Sequence, residues 1–265
     1  MSVAGLLIGT STKMNLTSSE AERYLGTLRQ LVEDVVDCDL FVLPPFTSIW
    51  VAREQLAGSN VAWGAQDVHP DEAGAHTGDV SAAMLADLGC RYVEVGHAER
   101  RRDYGESDAL IAAKTKAVLR HRMIPILCVG EPTEGDSEAA VRFVLRQLGG
   151  SLAGISGADR SRLVVAYEPV WAIGAGARPA HPDRVAAVHA GIHAWLRSPD
   201  GGGAGARVIY GGSVDPSTAG TLLARAGVDG LFVGRAALDP AHFAAIARAG
   251  QEHARLGPIG SRMAS

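Results

Sequence analysis

Short apolar runs alternate with longer amphipathic stretches along the chain. The runs predict strands at Ala4–Ile8, Leu40–Leu43, Val61–Trp63, Tyr92–Val95, Ile124–Val129, Leu163–Ala166, Val208–Tyr210 and Gly230–Val233. Helical patterns lie between them, such as Ser18–Val36, Ser107–His121, Asp183–Leu196 and Pro240–Ala249. Eight apolar strands separated by helical stretches predict parallel βα units. The strands are near-continuous apolar runs, as expected of a sheet covered on both faces. Periodicity leaves two architectures open: a closed barrel and a doubly wound open sheet.

Length and composition narrow the class. The chain has 265 residues, and α/β barrels of about 250 residues are routinely one domain. Hydrophobic residues make up 47%, enough for a sizeable core. The net charge is -4, so the basic face expected of a nucleic-acid binder is not indicated. Apolar runs are too short to span a bilayer. The first residues lack a basic leader region and read as a strand. Cys38, Cys90 and Cys128 are odd in number, far apart and beside apolar residues. That pattern fits reduced thiols in a cytoplasmic protein, not a disulfide framework or a zinc site. Gly149–Gly157 and Gly201–Gly205 read as structural, the latter as a flexible surface turn. Residues 1–252 form one expected domain, and 253–265 read as a C-terminal tail.

In a parallel barrel, reactive side chains sit at the carboxyl ends of strands. Polar residues there are Lys13, Gln66, His97, Glu168, Ser213 and the pair Gly234-Arg235. They meet on one rim only if the barrel closes. The segment from Ala166 to Gly174 reads Ala-Tyr-Glu-Pro-Val-Trp-Ala-Ile-Gly. It sets a carboxylate at a rim, a rigid proline beside it and a small-residue lid after it. A lone Glu at a strand end is ordinarily solvated or salt-bridged, and a lone His is more often a core residue than a catalyst.

Whole motifs carry more weight. Val95 to Arg101 reads Val-Gly-His-Ala-Glu-Arg-Arg, followed by Tyr104-Gly-Glu106. Ile8 to Asn15 reads Ile-Gly-Thr-Ser-Thr-Lys-Met-Asn, and Tyr210 to Val214 reads Tyr-Gly-Gly-Ser-Val. Gly230–Gly234, Leu127–Glu131 and Gly64–Gln66 fit the same set. Together with the segment around Glu168, these motifs resemble the triosephosphate isomerase family from about Leu6 to the last helix. The resemblance implies a single-domain (β/α)8 TIM barrel and favours barrel over open sheet.

It also implies a reaction: interconversion of D-glyceraldehyde 3-phosphate and dihydroxyacetone phosphate through an enediolate. Glu168 would be the base, neutral His97 the electrophile and Lys13 the oxyanion stabiliser. Ser11, Gly174, Ser213, Gly234 and Arg235 would hold the substrate and its phosphate. Pro169, Val170, Trp171, Ala172, Ile173, Ala175 and Gly176 would form the lid and its hinge, with Tyr210 and Ser213 bonding the closed lid. Glu99 would support the site, whereas Glu131 reads as a structural ion-pair partner. The loop Gln66–Asp79 carries Gly-Ala-His-Thr-Gly at 74–78, which implies a homodimer with Thr77 at its interface. No cofactor or metal is implied, and His69, His76 and His121 show no metal-ligand spacing.

Several positions depart from the family pattern. Ser11 stands where Asn is usual, Thr12 replaces Trp, Ala98 replaces Ser, and Gly234-Arg235 replaces Gly-Gly. The lid's far hinge reads Gly-Ala-Arg-Pro at 176–179. These changes surround the substrate. They raise an alternative: an isomerase converting L-erythrulose 1-phosphate to D-erythrulose 4-phosphate in tetritol catabolism. A non-catalytic sugar-phosphate binder is a more remote reading. A dinucleotide-binding fold is disfavoured because no Gly-x-Gly-x-x-Gly follows the first strand.

Overall fold

Eight parallel strands pair in sequence order, and the eighth pairs with the first, so the sheet closes into a barrel. The computed structural model describes residues 5–174 and 176–256. The strands are β1 (Leu6–Ser11), β2 (Cys38–Leu43), β3 (Val61–Ala65), β4 (Tyr92–Val95), β5 (Ile124–Val129), β6 (Val164–Tyr167), β7 (Arg207–Tyr210) and β8 (Gly230–Val233). The first helices are α1 (Ser18–Leu31), α2 (Ile49–Leu56), α3 (Ala82–Asp87), α4 (Ala98–Asp103) and α5 (Asp108–Arg120). The rest are α6 (Ser137–Ser151), α7 (Gly157–Arg160), α8 (Pro182–Arg197), α9 (Ala219–Leu223) and α10 (Pro240–Leu256).

Period-two alternation splits the strand residues between two cores. Leu7, Phe41, Tyr92, Ile126, Val164, Ile209 and Phe232 point inward and fill the barrel. Ile8, Leu40, Val93, Leu127, Val165, Val208 and Leu231 point outward against the helices. At Gly9 a Cβ would stand 2.1 Å from the Phe41 ring, so the bare backbone there lets Phe41 fill the interior.

The ends of several elements differ from the sequence expectation for local reasons. β1 runs on through Ser11 because Thr10 pairs with Val42 and Val233, and Ser11 with Leu43. α1 stops at Leu31 instead of Val36; the Asn60 amide donates to the carbonyls of Val32 (2.8 Å) and Val35 (2.6 Å) beyond it. α10 continues to Leu256, past the expected tail boundary. Gln251 pins it by accepting from Val36 N–H at 2.7 Å, and Arg255 pairs with Asp37 at 2.6 Å. The rest of the expected tail, 257–265, lies outside the described residues. Gly149 and Gly150 belong to α6. Gly201 and Gly203 are buried, and Gly203 N–H donates to the Leu196 carbonyl at 2.8 Å. That segment is therefore packed, not a loose surface turn. Among the described residues, no helix is long and apolar enough to cross a membrane.

Candidate active site

Barrel closure brings the strand-end polar residues to one mouth. Ser11, Lys13, His97, Glu99, Glu168, Gly174, Gly176, Ser213, Gly234 and Arg235 all line a single cleft of about 1050 Å³. The same alternation that fills the barrel aims these side chains. Along β6 the inward positions are Val164 and Ala166, and Glu168 is the next one. Its N–H continues the ladder to the Val129 carbonyl at 2.8 Å.

Lys13 follows β1 with φ 53. A left-handed backbone costs on the order of 1 kcal/mol at a non-glycine residue. The Gln66 amide braces the turn by donating to the carbonyls of Lys13 (3.1 Å) and Leu43 (2.9 Å). The Lys13 ammonium then reaches Glu99 Oε1 at 2.8 Å and lies 3.1 Å from His97 Nε2.

His97 caps the N-terminus of α4. Its Nδ1 accepts the Glu99 backbone N–H at 3.1 Å. A backbone N–H can only donate, so Nδ1 is unprotonated and the neutral ring carries its proton on Nε2. Burial, with the Lys13 charge beside it, pushes His97 down to about 4. The ring is therefore neutral near pH 7. Nε2–H and the ammonium are two donors aimed into the same part of the cleft.

Glu168 is buried, with Oε2 3.4 Å from His97 Nε2. Burial, and then the charge of Glu94, raise its pKa well above the usual carboxylate range, against the pull of Lys13. A base so raised holds its proton more firmly once it has taken it. Glu94, Cys128 and Glu168 all lie at the inner end of neighbouring strands. Glu94 was missed in the sequence because it sits inside an apolar run. Counting by twos from Tyr92 would have turned it inward.

The segment after Glu168 forms one 3-10 turn, Val170–Ala172. Glu131 anchors its base. It accepts from Trp171 Nε1 (2.9 Å) and Tyr167 O–H (3.1 Å) and pairs with Arg184 (2.9 Å). That is the ion-paired role expected of Glu131. Ser213 Oγ donates to the Ala172 carbonyl at 2.9 Å, and Ser213 N–H to the same oxygen at 3.2 Å. The Tyr210 side chain is fully buried. Gly174 and Gly176 both have positive φ, at 103 and 75. Ala175 between them lies outside the described residues.

At the far end of the cleft, Gly234 leads into a 3-10 turn beginning at Arg235. The Arg235 side chain is exposed and makes no ion pair among the described residues. Asp239 and His242 also line this end, a pairing with no local sequence signal. Thr77 is not among the residues lining the cleft; it lies on the stretch Asp71–Asp79, which is exposed throughout. Behind α4 the Arg-Arg of the motif has structural partners. Arg100 pairs with Asp67 (2.8 Å) and Glu106 (2.6 Å), Arg101 with Asp108 (2.6 Å).

Among the described residues, two clusters bring metal-type ligand atoms within 4.8 Å of one another: Glu94, His97 and Glu168, and His69, Asp71 and His76. In the first, Nε2 carries the ring proton and stands 3.1 Å from an ammonium, so the donor set does not suit a cation. The second was not visible in sequence spacing. There His76 Nε2 bonds Asp71 at 3.0 Å, and His69 Nδ1 accepts the Asp71 N–H at 3.1 Å. These bonds close the loop on itself.

The floor thus offers a buried carboxylate, a neutral imidazole N–H and an ammonium around one point, with backbone N–H groups beyond. Such a set can take a proton from carbon beside a carbonyl and stabilise the oxyanion that results. Residues 6–250 match the family model described as triosephosphate isomerase. The chain is 46% identical over 246 residues to the triosephosphate isomerase of Thermus thermophilus, covering 92% of this chain and 98% of that one. It is 49% identical over 253 residues to the triosephosphate isomerase of Xanthobacter autotrophicus, covering 92% and 96%. The crystal structure of triosephosphate isomerase from Bartonella henselae superposes with a TM-score of 0.81 at 37% identity, covering 92% and 98%.

Proposed function

The chain belongs to the triosephosphate isomerase family, and from that premise we propose that it interconverts D-glyceraldehyde 3-phosphate and dihydroxyacetone phosphate. One observation carries the reading. Lys13 Nζ and Glu168 Oε2 lie 3.1 Å and 3.4 Å from the same nitrogen, His97 Nε2.

Glu168 removes the proton beside the substrate carbonyl and returns it to the neighbouring carbon. His97 donates Nε2–H to the carbonyl oxygen as the enediolate forms. A neutral donor suits this step, since the ring keeps its proton while sharing it. Lys13 neutralises the growing oxyanion, and Glu99 holds the ammonium in place at 2.8 Å. Backbone N–H groups of Gly174, Ser213, Gly234 and Arg235 bind the phosphate, and Ser11 lines the floor. The lid from Pro169 through Val170, Trp171, Ala172 and Ile173 to Gly176 closes over the substrate and excludes water. Tyr210 and Ser213 meet it from β7. No cofactor or metal enters this scheme.

The four-carbon alternative is not favoured, because the relatives at 46% and 49% identity carry the name of the triose enzyme. The reading includes a homodimer in the cytoplasm. Its support is the exposed loop Asp71–Asp79 carrying Thr77, and Met14, 97% exposed beside the site. The three cysteines are free and buried, in keeping with a reducing compartment.

The test is a comparison of kcat/KM on D-glyceraldehyde 3-phosphate and on both erythrulose phosphates. Triose turnover approaching about 10⁸ M⁻¹s⁻¹, with poor tetrulose turnover, is expected. The reverse order would overturn the triose assignment.

A further inference from the structure

Glu94 is a charged residue in a place built for apolar ones. It lies two positions beyond Tyr92 on β4, so both side chains point into the barrel. Tyr92 fills the interior, whereas Glu94, 3% exposed, forms part of the cleft floor. Its Oε1 is 3.8 Å from Cys128 Sγ on β5 and 3.9 Å from His97 Nε2. Ser11 at the end of β1 lines the same cleft floor. The charges facing it are Lys13 after β1, Asp67 after β3, Glu99 on α4 and Glu168 after β6.

Counting these charges shows what Glu94 can be. Two carboxylates, Glu94 and Glu168, are buried with ligand atoms within 4.8 Å. The nearby cation, Lys13, makes its short contact with Glu99, at 2.8 Å. Two buried carboxylates so close, without a cation each, do not both ionise near neutral pH. Burial pushes Glu94 up to about 7, and its charge in turn raises Glu168. Glu168 is raised the further of the two and holds the shared proton at rest; in the microstate where Glu168 is ionised to act as base, that proton is on Glu94. A protonated carboxyl is a donor.

We propose that Glu94 acts as a neutral carboxylic acid that donates a hydrogen bond to the substrate, at the oxygen neighbouring the one held by His97 and Lys13. The inference rests on the isomerase reading. An ionised Glu94 would repel an enediolate, whereas a protonated one completes a floor of three donors. Glu94 thereby helps set which hydroxycarbonyl phosphates are accepted.

The experiment measures kcat/KM with D-glyceraldehyde 3-phosphate for wild type, Glu94→Gln and Glu94→Leu from about pH 6 to pH 9. Gln keeps a neutral donor of the same length; Leu removes it. Glu94→Gln is expected within roughly fivefold of wild type at the acid end, and Glu94→Leu roughly 10–100-fold lower. Wild type is expected to decline on the alkaline side as Glu94 ionises, and Glu94→Gln to lack that decline. Equal activity of Glu94→Leu and wild type would overturn the proposal, as would an unchanged pH profile in Glu94→Gln. If Glu94→Leu does not fold, the Glu94→Gln profile alone decides. Wild type without triose turnover would instead overturn the isomerase reading, so the two failures are distinct.

Discussion

Gly211, just past β7, packs its Cα against Glu168: a Cβ there would stand 2.7 Å from Glu168 Cγ and 2.9 Å from Oε1. The absence of a side chain at 211 therefore sets where the carboxylate can lie. Gly211→Ala should displace Glu168 and lower kcat about 10–100-fold, since small misplacements of a reacting group are costly. Kinetics with a thermal melt checks this. Unchanged kcat would mean that Glu168 moves aside freely.

Glu168→Gln separates an enzyme from a sugar-phosphate binder. Turnover should fall at least about 10²-fold, while the affinity for inorganic phosphate, measured by calorimetry, stays within a few-fold. Parallel loss of both would argue that Glu168 organises the phosphate site instead of acting as base.

The raised carboxyl of Glu94 has a consequence for stability, and its sign is fixed by linkage. The folded pKa, about 7, lies above the ordinary glutamate value of 4.5. The folded state therefore binds the extra proton between those values, and ionisation disfavours folding increasingly as pH rises through this window. Glu94→Gln should raise Tm by several degrees at about pH 8 and lose that gain below about pH 4.5. Melts across pH would show it; an equal shift at both ends would assign the effect to packing.

Lys114 is buried on α5 and bridges Asp67 (2.7 Å) and Glu106 (2.5 Å). Removing one partner strands buried charge. Lys114→Met should destabilise the fold by about 3–5 kcal/mol, toward the lower end because Arg100 still contacts both carboxylates. Urea unfolding measures this, and a loss under about 1 kcal/mol would show that Arg100 alone suffices.

Thr77→Arg places charge on the loop proposed to enter a partner subunit. Sedimentation should show wild type as the proposed dimer and the variant as monomer, with the variant's specific activity falling on dilution. A variant that stays dimeric would remove Thr77 from the interface.

How much of this was legible in the chain can be traced residue by residue. Short, near-continuous apolar runs between amphipathic stretches located all eight strands, because such a run is a property of neighbouring residues. Lys13, His97, Glu168 and Ser213 stood out as polar residues just past those runs, and their motifs carried the family. Element ends were less legible. α1 stops early because Asn60 takes carbonyls beyond it, and α10 runs on because Gln251 bonds Val36 N–H. Those partners are distant in sequence. The same limit hid the finer chemistry of the site. Local pattern can say that Glu94 lies on a strand. That it faces Glu168, Lys13 and Ser11 follows only when eight strands close into a ring with this register. Likewise, the ring proton of His97 is settled by the Glu99 N–H that α4 presents to it. Sequence periodicity determined the units and the polar residues at their ends. Barrel closure decided which of them meet, because burial and charge coupling act through space, not along the chain.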